Sequence, residues 1–330
     1  MAYIDLDEES QIAEIEKKLP ALLALYGIEA VTVANVNHAF NSSFKIVSKM
    51  GEEFALRINL GSGKSQSEVL AEMHWLEALH QDGSIMAPIP VRTTSGDLFA
   101  HTTFAPPDCD VRAILCKWIP GEELGSEPND KQLFELGQNI AKIHIFVSEL
   151  TFTDGANLQP INCALSNTRD NLSTNRHGKF SDHLQADVIQ GLKLVDDVYA
   201  RLSKNQELLP IHADLHAGNV LQTSGGLAII DFDDAGLGLL VQDLVNSTYY
   251  IREDTEREKH LLTGYASLLE LPKISDEDFE VLLIGRLLLL INTIVEMTSA
   301  EEIKFLPVFL DRAQRRLDHF FNSGKFILLD

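Results

Sequence analysis

Residues 211–221 read IHADLHAGNVL, and residues 229–233 read IIDFD. Two short apolar runs connect these segments, and they flank Ser224-Gly225-Gly226, a combination that predicts a tight β-hairpin. Such a hairpin would bring Asp231 back beside Asn219, which follows Asp214 by five residues. An unrelated chain rarely combines an aspartate, an asparagine at this spacing, a hairpin and a second aspartate after an apolar strand. This stretch therefore decides the fold.

The residue types in this stretch match the needs of phosphoryl transfer to an alcohol, a reaction that asks for few protein groups. A carboxylate must orient the hydroxyl and accept its proton, and oxygen ligands must hold Mg²⁺ against the phosphates. Asp214 is predicted as the base, and Asn219 and Asp231 are predicted as the metal ligands. We therefore expect an enzyme that uses ATP and Mg²⁺ and phosphorylates a small-molecule hydroxyl acceptor.

The wording HADLHAGNVL…IIDFDDAG…QDL resembles the aminoglycoside phosphotransferase and choline kinase family, including its homoserine-kinase-like members. The resemblance covers roughly residues 31 to 250 and is densest at 209–245. It implies an α+β, two-lobed protein-kinase-like fold, with a small β-rich N-terminal lobe over 1–119 and a mainly helical C-terminal lobe over 120–330. The local patterns agree, because strand-type runs dominate the first third and helical spacing dominates the rest.

The strand sequence FALR at 54–57 takes the place of the family's ATP-contacting strand. Strand alternation puts Ala55 and Arg57 on one face. The resemblance implies that Ala55 lines the adenine slot and that Arg57 reaches the α- and β-phosphates. Its ion-pair partner would come from the following helix, where register favours Glu72, with Glu68 as the fallback. Arg57 is a departure from the family pattern, which has lysine at this position.

Two further segments are implied to contact the nucleotide. The sequence HAFNSSF at 38–44 stands where the family has its phosphate-covering loop, although it contains no glycine. Ser42 and Ser43 would contact phosphate through their hydroxyl groups and backbone amides. AILCKWIPGEEL resembles the linker between the lobes, so the carbonyl of Lys117 and the N–H of Ile119 would bind the adenine edge.

Four residues are predicted to support the site. His212 is expected to bond backbone near the catalytic loop, and Asp243 to anchor that loop through backbone hydrogen bonds. Asp233 is either a third metal contact or the cap of the following turn. His216 stands two residues after Asp214, where protein kinases carry a lysine, and matches the phosphotransferase family instead.

Composition excludes several classes of partner. The formal net charge of -22 argues against nucleic-acid binding, which needs clustered Lys and Arg. The N-terminus lacks an apolar signal, and the longest apolar run, 281–295, is too short and polar to span a bilayer. The three cysteines, without a CxxC pair, are typical of reduced thiols. We expect a cytoplasmic protein with no membrane partner, and nothing in the sequence indicates an oligomeric state.

Periodicity also predicts the individual elements. Helices are expected over 8–26, 66–80, 130–148, 181–204, 239–250, 255–270, 277–298 and 300–322. Strands are expected for VTVANV, SSFKIV, EEFALRI, PIPVRT, DLFAHTTF, VRAILCKWI, NVLQ and LAIID.

Several alternatives stay open at this point. An aminoglycoside, a choline-like amine, homoserine or a related amino alcohol, and a sugar are all possible acceptors, and the acidic charge slightly favours a cationic or zwitterionic one. Two alternative functions also stay open: a Ser/Thr protein kinase of the same superfamily, and a nucleotide-binding kinase-fold protein without catalysis. A metal-dependent hydrolase using His212, Asp214 and His216 is disfavoured, because no other histidine lies in a matching motif.

Overall fold

The computed structural model describes residues 6–38, 41–60, 63–104, 109–125, 127–253, 255–297 and 300–329. The chain divides into two compact units. The first consists of Met1–Pro120 and Phe152–Asn157, and the second of Gly121–Thr151 and Leu158–Asp330.

The first unit is built on an antiparallel five-stranded sheet with the strand order β1-β2-β3-β5-β4. Its strands are β1 (Ala30–His38), β2 (Asn41–Ser48), β3 (Glu53–Asn59), β4 (Ala100–Phe104) and β5 (Cys109–Lys117). Its helices are α1 (Glu8–Glu16), α2 (Leu19–Leu25) and α3 (Gln66–Asp82). In β3 the side chains of Phe54, Leu56 and Ile58 are buried, while Ala55 and Arg57 on the opposite face are half-buried. The predicted alternation is therefore present.

Helix α3 has well-formed ends. Ser65 and Glu68 make a reciprocal capping box at its N-terminus, in which the Glu68 carboxylate accepts the N–H of Ser65 at 2.9 Å. Gly83 ends the helix in the left-handed conformation. The cap fixes where α3 begins, and thereby which of its carboxylates face the sheet.

Three sequence-based expectations in this unit are wrong. The helix over 8–26 is two helices, because Pro20 has no N–H to continue the first one and instead lies in the first turn of α2. The segment 88–93 makes a single bridge, between Pro90 and Cys116, rather than a strand, since its two prolines cannot donate to a ladder. The loop position that the resemblance implied for 38–44 is wrong for 42–44, which lie within β2 as the strand prediction for SSFKIV has it; 39–40 lie outside the described residues.

The second unit is mainly helical. Its helices are α4 (Asp130–Val147), α5 (Asp182–Leu202), α6 (Val241–Tyr249), α7 (Thr255–Ala266), α8 (Asp276–Ile294) and α9 (Ala300–Ser323). Its short strands are β6 (Glu122–Glu123), β7 (Leu209–Ile211), β8 (Val220–Thr223), β9 (Gly226–Ile229) and β10 (Gly236–Gly238). They form an antiparallel β6-β8-β9 sheet and an antiparallel β10-β7 pair. The predicted helices and the hairpin at 224–226 are confirmed, with ends that differ by a few residues.

Two features of the helical packing position the site. A Cβ at Gly137 or at Gly264 would lie 2.0 Å from a backbone oxygen of the facing helix, so α4 and α7 approach closely. Helices α5, α6, α8 and α9 share one apolar core. Within the described part of the chain, no helix is long and apolar enough to cross a membrane.

Candidate functional site

The loop after β7 carries the first two predicted residues, and the β8–β9 hairpin brings the third to them. Asn219 ends a 3₁₀ turn at Ala217–Asn219, directly before β8. In the hairpin Val220 pairs with Ile229, and the N–H of Ile230 donates to the carbonyl of Asn219 at 2.9 Å. Asp231 is the next residue, so it leaves the hairpin beside Asn219.

The carboxylate of Asp214 is held from two sides. Asn219 Nδ2 donates to its Oδ2 at 2.9 Å and to its backbone carbonyl at 2.8 Å. Arg286 Nη2 donates to its Oδ1. His216 Nε2 lies 3.5 Å from Oδ2. Burial alone would raise the pKa of Asp214, but the Arg286 charge and the His216 hydrogen bond hold it well below its usual range, so the carboxylate is ionised at neutral pH.

The side chains of Asn219 and Asp231 suit a divalent cation. The amide nitrogen of Asn219 is used twice by Asp214, which leaves the amide oxygen as the side-chain group that can bind a metal. Asp231 adds a carboxylate on an exposed residue. Amide and carboxylate oxygens are the ligands that hard cations such as Mg²⁺ and Ca²⁺ prefer. The donor set therefore fits the expected metal.

Helix α6 fixes the backbone of the loop. Asp243, which is fully buried, accepts the N–H of His212 at 3.1 Å and that of Ala213 at 2.7 Å. Asn246 Nδ2 donates to the carbonyl of Ala213, and Ser247 Oγ donates to the carbonyl of Leu215 at 2.5 Å. Ala213 has φ 67°, a conformation that a residue with a Cβ adopts at a cost, so these bonds stabilise a strained backbone next to Asp214.

A second layer of buried groups holds Asp243 itself. His144 of α4 places Nε2 3.2 Å from Asp243 Oδ2, and its Nδ1 lies 2.9 Å from the hydroxyl of Tyr265 on α7. Burial works to raise the pKa of Asp243, but the hydrogen bond from His144 and the neighbouring backbone donor lower it below its ordinary value. The loop is thus tied through α6 to the closely packed α4–α7 pair.

The two loop histidines have their ring nitrogens engaged. His212 Nε2 lies 2.9 Å from the carbonyl of Ile230, and its Nδ1 accepts the N–H of Asp214 at 3.4 Å. His216 Nδ1 accepts the N–H of Gly218 at 3.0 Å, and its Nε2 faces Asp214. A metal ligand needs a free imidazole lone pair, so this geometry speaks against the hydrolase alternative.

In the first unit, Arg57 and Glu72 form an ion pair. Arg57 Nη2 lies 2.6 Å from Glu72 Oε2, and the two side chains are 16% and 6% exposed. Glu68, the fallback partner, belongs to the capping box. Ala55 is half-buried on the same face of β3 as Arg57, between Lys45 and Cys116 on the neighbouring strands.

The remaining nucleotide-contact candidates differ in accessibility. Ser42 is fully buried and its hydroxyl lies 2.5 Å from His38 Nδ1, so that side chain belongs to the interior of the sheet. Ser43, half-buried, pairs with Arg57 across the strands. Lys117 ends β5 opposite Phe54. Ile119 follows two residues later and is half-buried.

Comparison with known proteins identifies the family. A model of the phosphotransferase enzyme family matches residues 34–273. The chain belongs to this family. Amicoumacin kinase of Bacillus subtilis (strain 168) is 25% identical over 251 residues, 72% of this phosphotransferase and 70% of that protein. Thiamine kinase of Escherichia coli (strain K12) is 35% identical over 68 residues, which are 21% of this chain and 24% of that one.

Solved structures show the same two-lobed protein-kinase-like fold. Amicoumacin kinase hAmiN in complex with AMP-PNP, Ca²⁺ and Ami has a TM-score of 0.72 and 21% identity, covering 94% of both chains. The microcompartment-associated aminopropanol kinase has a TM-score of 0.74 and 19% identity, covering 95% of this chain and 100% of that one. The family match and the similarity to amicoumacin kinase make this phosphotransferase a small-molecule kinase that acts on hydroxyl groups.

The phosphotransferase has one site residue that sequence reasoning missed, Arg286 of α8. It contacts Asp214 directly, and its Nη2 also donates to the hydroxyl of Tyr250 at 2.8 Å. The ring of Tyr250 packs against that of His216 in a tilted arrangement, with 4.5 Å between the ring centres. The available signal was an arginine inside the apolar run 281–295, because arginine is rarely buried without a partner.

Asp233, in the 3₁₀ turn after Asp231, is half-buried.

Proposed function

We propose that this phosphotransferase moves the γ-phosphate of ATP, bound with Mg²⁺, to the hydroxyl of a small polar acceptor, with Asp214 as the base. One observation carries the proposal. The side-chain amide of Asn219 donates to both the carboxylate and the backbone carbonyl of Asp214, and the hairpin joins Asp231 to the same turn. A base and two oxygen ligands are the groups that phosphoryl transfer requires.

The role of Asp214 follows from its contacts. With Oδ1 held by Arg286 and Oδ2 by Asn219 and His216, the carboxylate is fixed in position, and Oδ1 keeps a second lone pair for an acceptor hydroxyl. The hydroxyl oxygen forms a bond to the γ-phosphorus, the bond to the β-bridging oxygen breaks, and ADP leaves with that electron pair. The acceptor's proton passes to Asp214. The enzyme's contribution is orientation and charge balance rather than a covalent intermediate.

Asn219 and Asp231 are the residues that would hold Mg²⁺. When bound, the cation neutralises charge on the β- and γ-phosphates. The hAmiN complex contains Ca²⁺ together with AMP-PNP, which supports a divalent metal in this site.

In the first unit we assign phosphate contact to Arg57, oriented by Glu72, and adenine contact to Ala55 and the backbone of Lys117 and Ile119. The guanidinium of Arg57 can bind a carboxylate along one edge and phosphate oxygens along the other. Ser43 is retained as a phosphate contact. Ser42 supports the strand instead, because its hydroxyl is buried against His38.

A coupled ADP-release assay tests the proposal. The purified chain is incubated with Mg-ATP and a panel of aminoglycosides, amino alcohols, hydroxy acids and sugars, and the Asp214→Asn variant is run beside it. We expect acceptor-dependent ADP release in the wild type and its loss in the variant. Equal release by both proteins, or no release with any acceptor although Mg-ATP binds in calorimetry, would contradict the proposal.

A further inference from the structure

Arg286 brings a second charged group to the proposed base from a helix far along the chain. Helix α8 packs closely on α5, since a Cβ at Gly285 would lie 3.0 Å from Val195 Cγ1. The side chain of Arg286 is only 6% exposed, and its Nη2 uses its two hydrogens on Asp214 and Tyr250. The guanidinium carbon also lies 5.5 Å from the centre of the Tyr250 ring. Its position is therefore set by packing and by two hydrogen-bond partners.

The guanidinium keeps donors that no described residue uses. Nε is buried and has no hydrogen-bond partner in the described part of the chain. Buried donors in native proteins are almost always paired, so this donor is available to a group that the protein itself does not supply. The hydrogens on Nε and Nη1 remain, and each of them can donate to an oxygen of an anionic group such as a carboxylate.

A cavity lies against this side chain. Its wall includes Arg286, the backbone-strained Ala213 next to the base, and the polar side chains of Tyr199, Gln242 and Asn246. Of the described residues that line it, Arg286 is the one that carries a charge. Asp234 is exposed and is not part of the wall. Asp214 itself is not part of the wall, which consists of one cation and neutral groups next to the catalytic loop.

The local charge differs from that of the whole chain. The net charge of -22 favours cations near the surface, but the carboxylate of Asp214 is already paired with Arg286. An acceptor ammonium would gain little from a carboxylate that is already paired, and it would be repelled by the largely buried guanidinium. A carboxylate would instead pair with the unused donors.

On the basis of the proposed function, we infer that Arg286 is a specificity-determining residue that binds a carboxylate of the acceptor in this cavity, next to the hydroxyl that is phosphorylated. The preferred acceptors are therefore small hydroxyl compounds that carry a carboxylate, including zwitterionic ones, rather than compounds whose charged group is an ammonium alone.

The first test compares three four-carbon compounds that differ at one end: 4-hydroxybutanoate, 1,4-butanediol and 4-aminobutan-1-ol. Each is assayed as an acceptor and as a competitive inhibitor of any panel acceptor that the enzyme phosphorylates. We expect the carboxylate to bind at least about tenfold more tightly than the ammonium, with the diol between them. Equal or tighter binding of the ammonium would overturn the inference while leaving the proposed function standing. Absence of ADP release with every acceptor would instead refute the proposed function.

The second test changes the arginine. Arg286→Met should raise KM or Ki for the carboxylate compound by about 10- to 100-fold and leave the value for the ammonium compound unchanged or lower. Arg286→Lys keeps the charge and should restore part of the preference. If the Met variant does not fold, the Lys variant still tests the inference, because loss of the planar fork alone should weaken carboxylate binding severalfold.

Arg316 supplies the matched control. It is also a buried arginine, and it bonds the hydroxyl of Tyr249 at 3.1 Å and the carbonyl of Leu329 at 2.8 Å. Arg316→Met should lower the melting temperature without changing the ratio of carboxylate to ammonium binding. A matching change of that ratio in the Arg316 and Arg286 variants would show that the effect is general destabilisation, and would overturn the inference.

Discussion

Each unit contains a buried arginine–carboxylate pair, and the two pairs are built in opposite senses. In the first unit Glu72 is the more buried member, 6% exposed against 16% for Arg57. In the second unit Arg286 is the more buried, 6% exposed against 20% for Asp214. In both pairs the more buried residue holds the residue to which we assign a contact with ATP or with the acceptor. The comparison suggests that Glu72 serves Arg57 in the way that Arg286 serves Asp214.

Removing the carboxylate of the second pair should have the largest effect on turnover. Asp214→Asn keeps the shape of the side chain but loses the base, so we expect kcat to fall by about 10²- to 10⁴-fold. Nucleotide affinity in calorimetry should change little. Because the variant also leaves Arg286 without its anion, circular dichroism must show that it is folded. A folded variant with wild-type turnover would remove Asp214 from the mechanism.

Breaking the first pair should act on the nucleotide instead. Arg57→Met removes the proposed phosphate contact, and we expect KM for ATP to rise by about 10- to 100-fold. Glu72→Gln should produce a smaller rise, because the arginine stays but is no longer held by a charge. ATP titrations at saturating acceptor measure both effects.

The same helix provides the control for that pair. Glu68→Gln keeps a side chain that can cap α3, so KM for ATP should equal that of the wild type, with stability within about 0.5 kcal/mol. If Glu68→Gln and Glu72→Gln behaved alike, the effect would belong to the helix and not to the ion pair.

The anchoring of the second pair can be tested through stability. Asp243→Asn has one acceptor oxygen where the carboxylate has two, so one of the two loop N–H groups loses its partner, at a cost of about 2–4 kcal/mol in urea unfolding. The pKa of Asp243 is lowered in the folded state. The contribution of the Asp243 carboxylate to the free energy of unfolding is therefore complete above about pH 5, and it is lost as the pH falls through about 4 and below. Stability of the variant should fall less steeply over that range; identical slopes would contradict the assignment.

The smallest effect concerns the surroundings of the first pair. Burial raises the pKa of the Cys116 thiol to about 12, although the charge of Arg57 opposes this. In a Cys109→Ser, Cys163→Ser background, a thiol reagent at pH 8 should label the native protein very slowly, because the Cys116 thiol is buried and its raised pKa keeps it protonated. Rapid labelling of the native protein would mean that this part of β5 is more open than described.

Much of the fold could be predicted because its signals are local. The capped helix α3, the alternation in β3 and the hairpin at 224–226 each depend on neighbours in the chain, and all are present. The errors arose where one residue overrides the pattern, as Pro20 does between α1 and α2. Ser42 was misjudged for a related reason, since a polar residue in a strand gives no sign of which face it occupies until its partner, here His38, is known.

The sequence by itself determined the family and the fold class. It also predicted Asp214, Asn219 and Asp231 as site residues, because they lie within 18 positions and a single hairpin relates them. It also favoured Glu72 for Arg57, 15 residues away across one strand and one helix. Only the tertiary structure brought Arg286 to Asp214. The two are 72 residues apart, and their meeting depends on how α8 packs against α5 and α6, which no local period encodes.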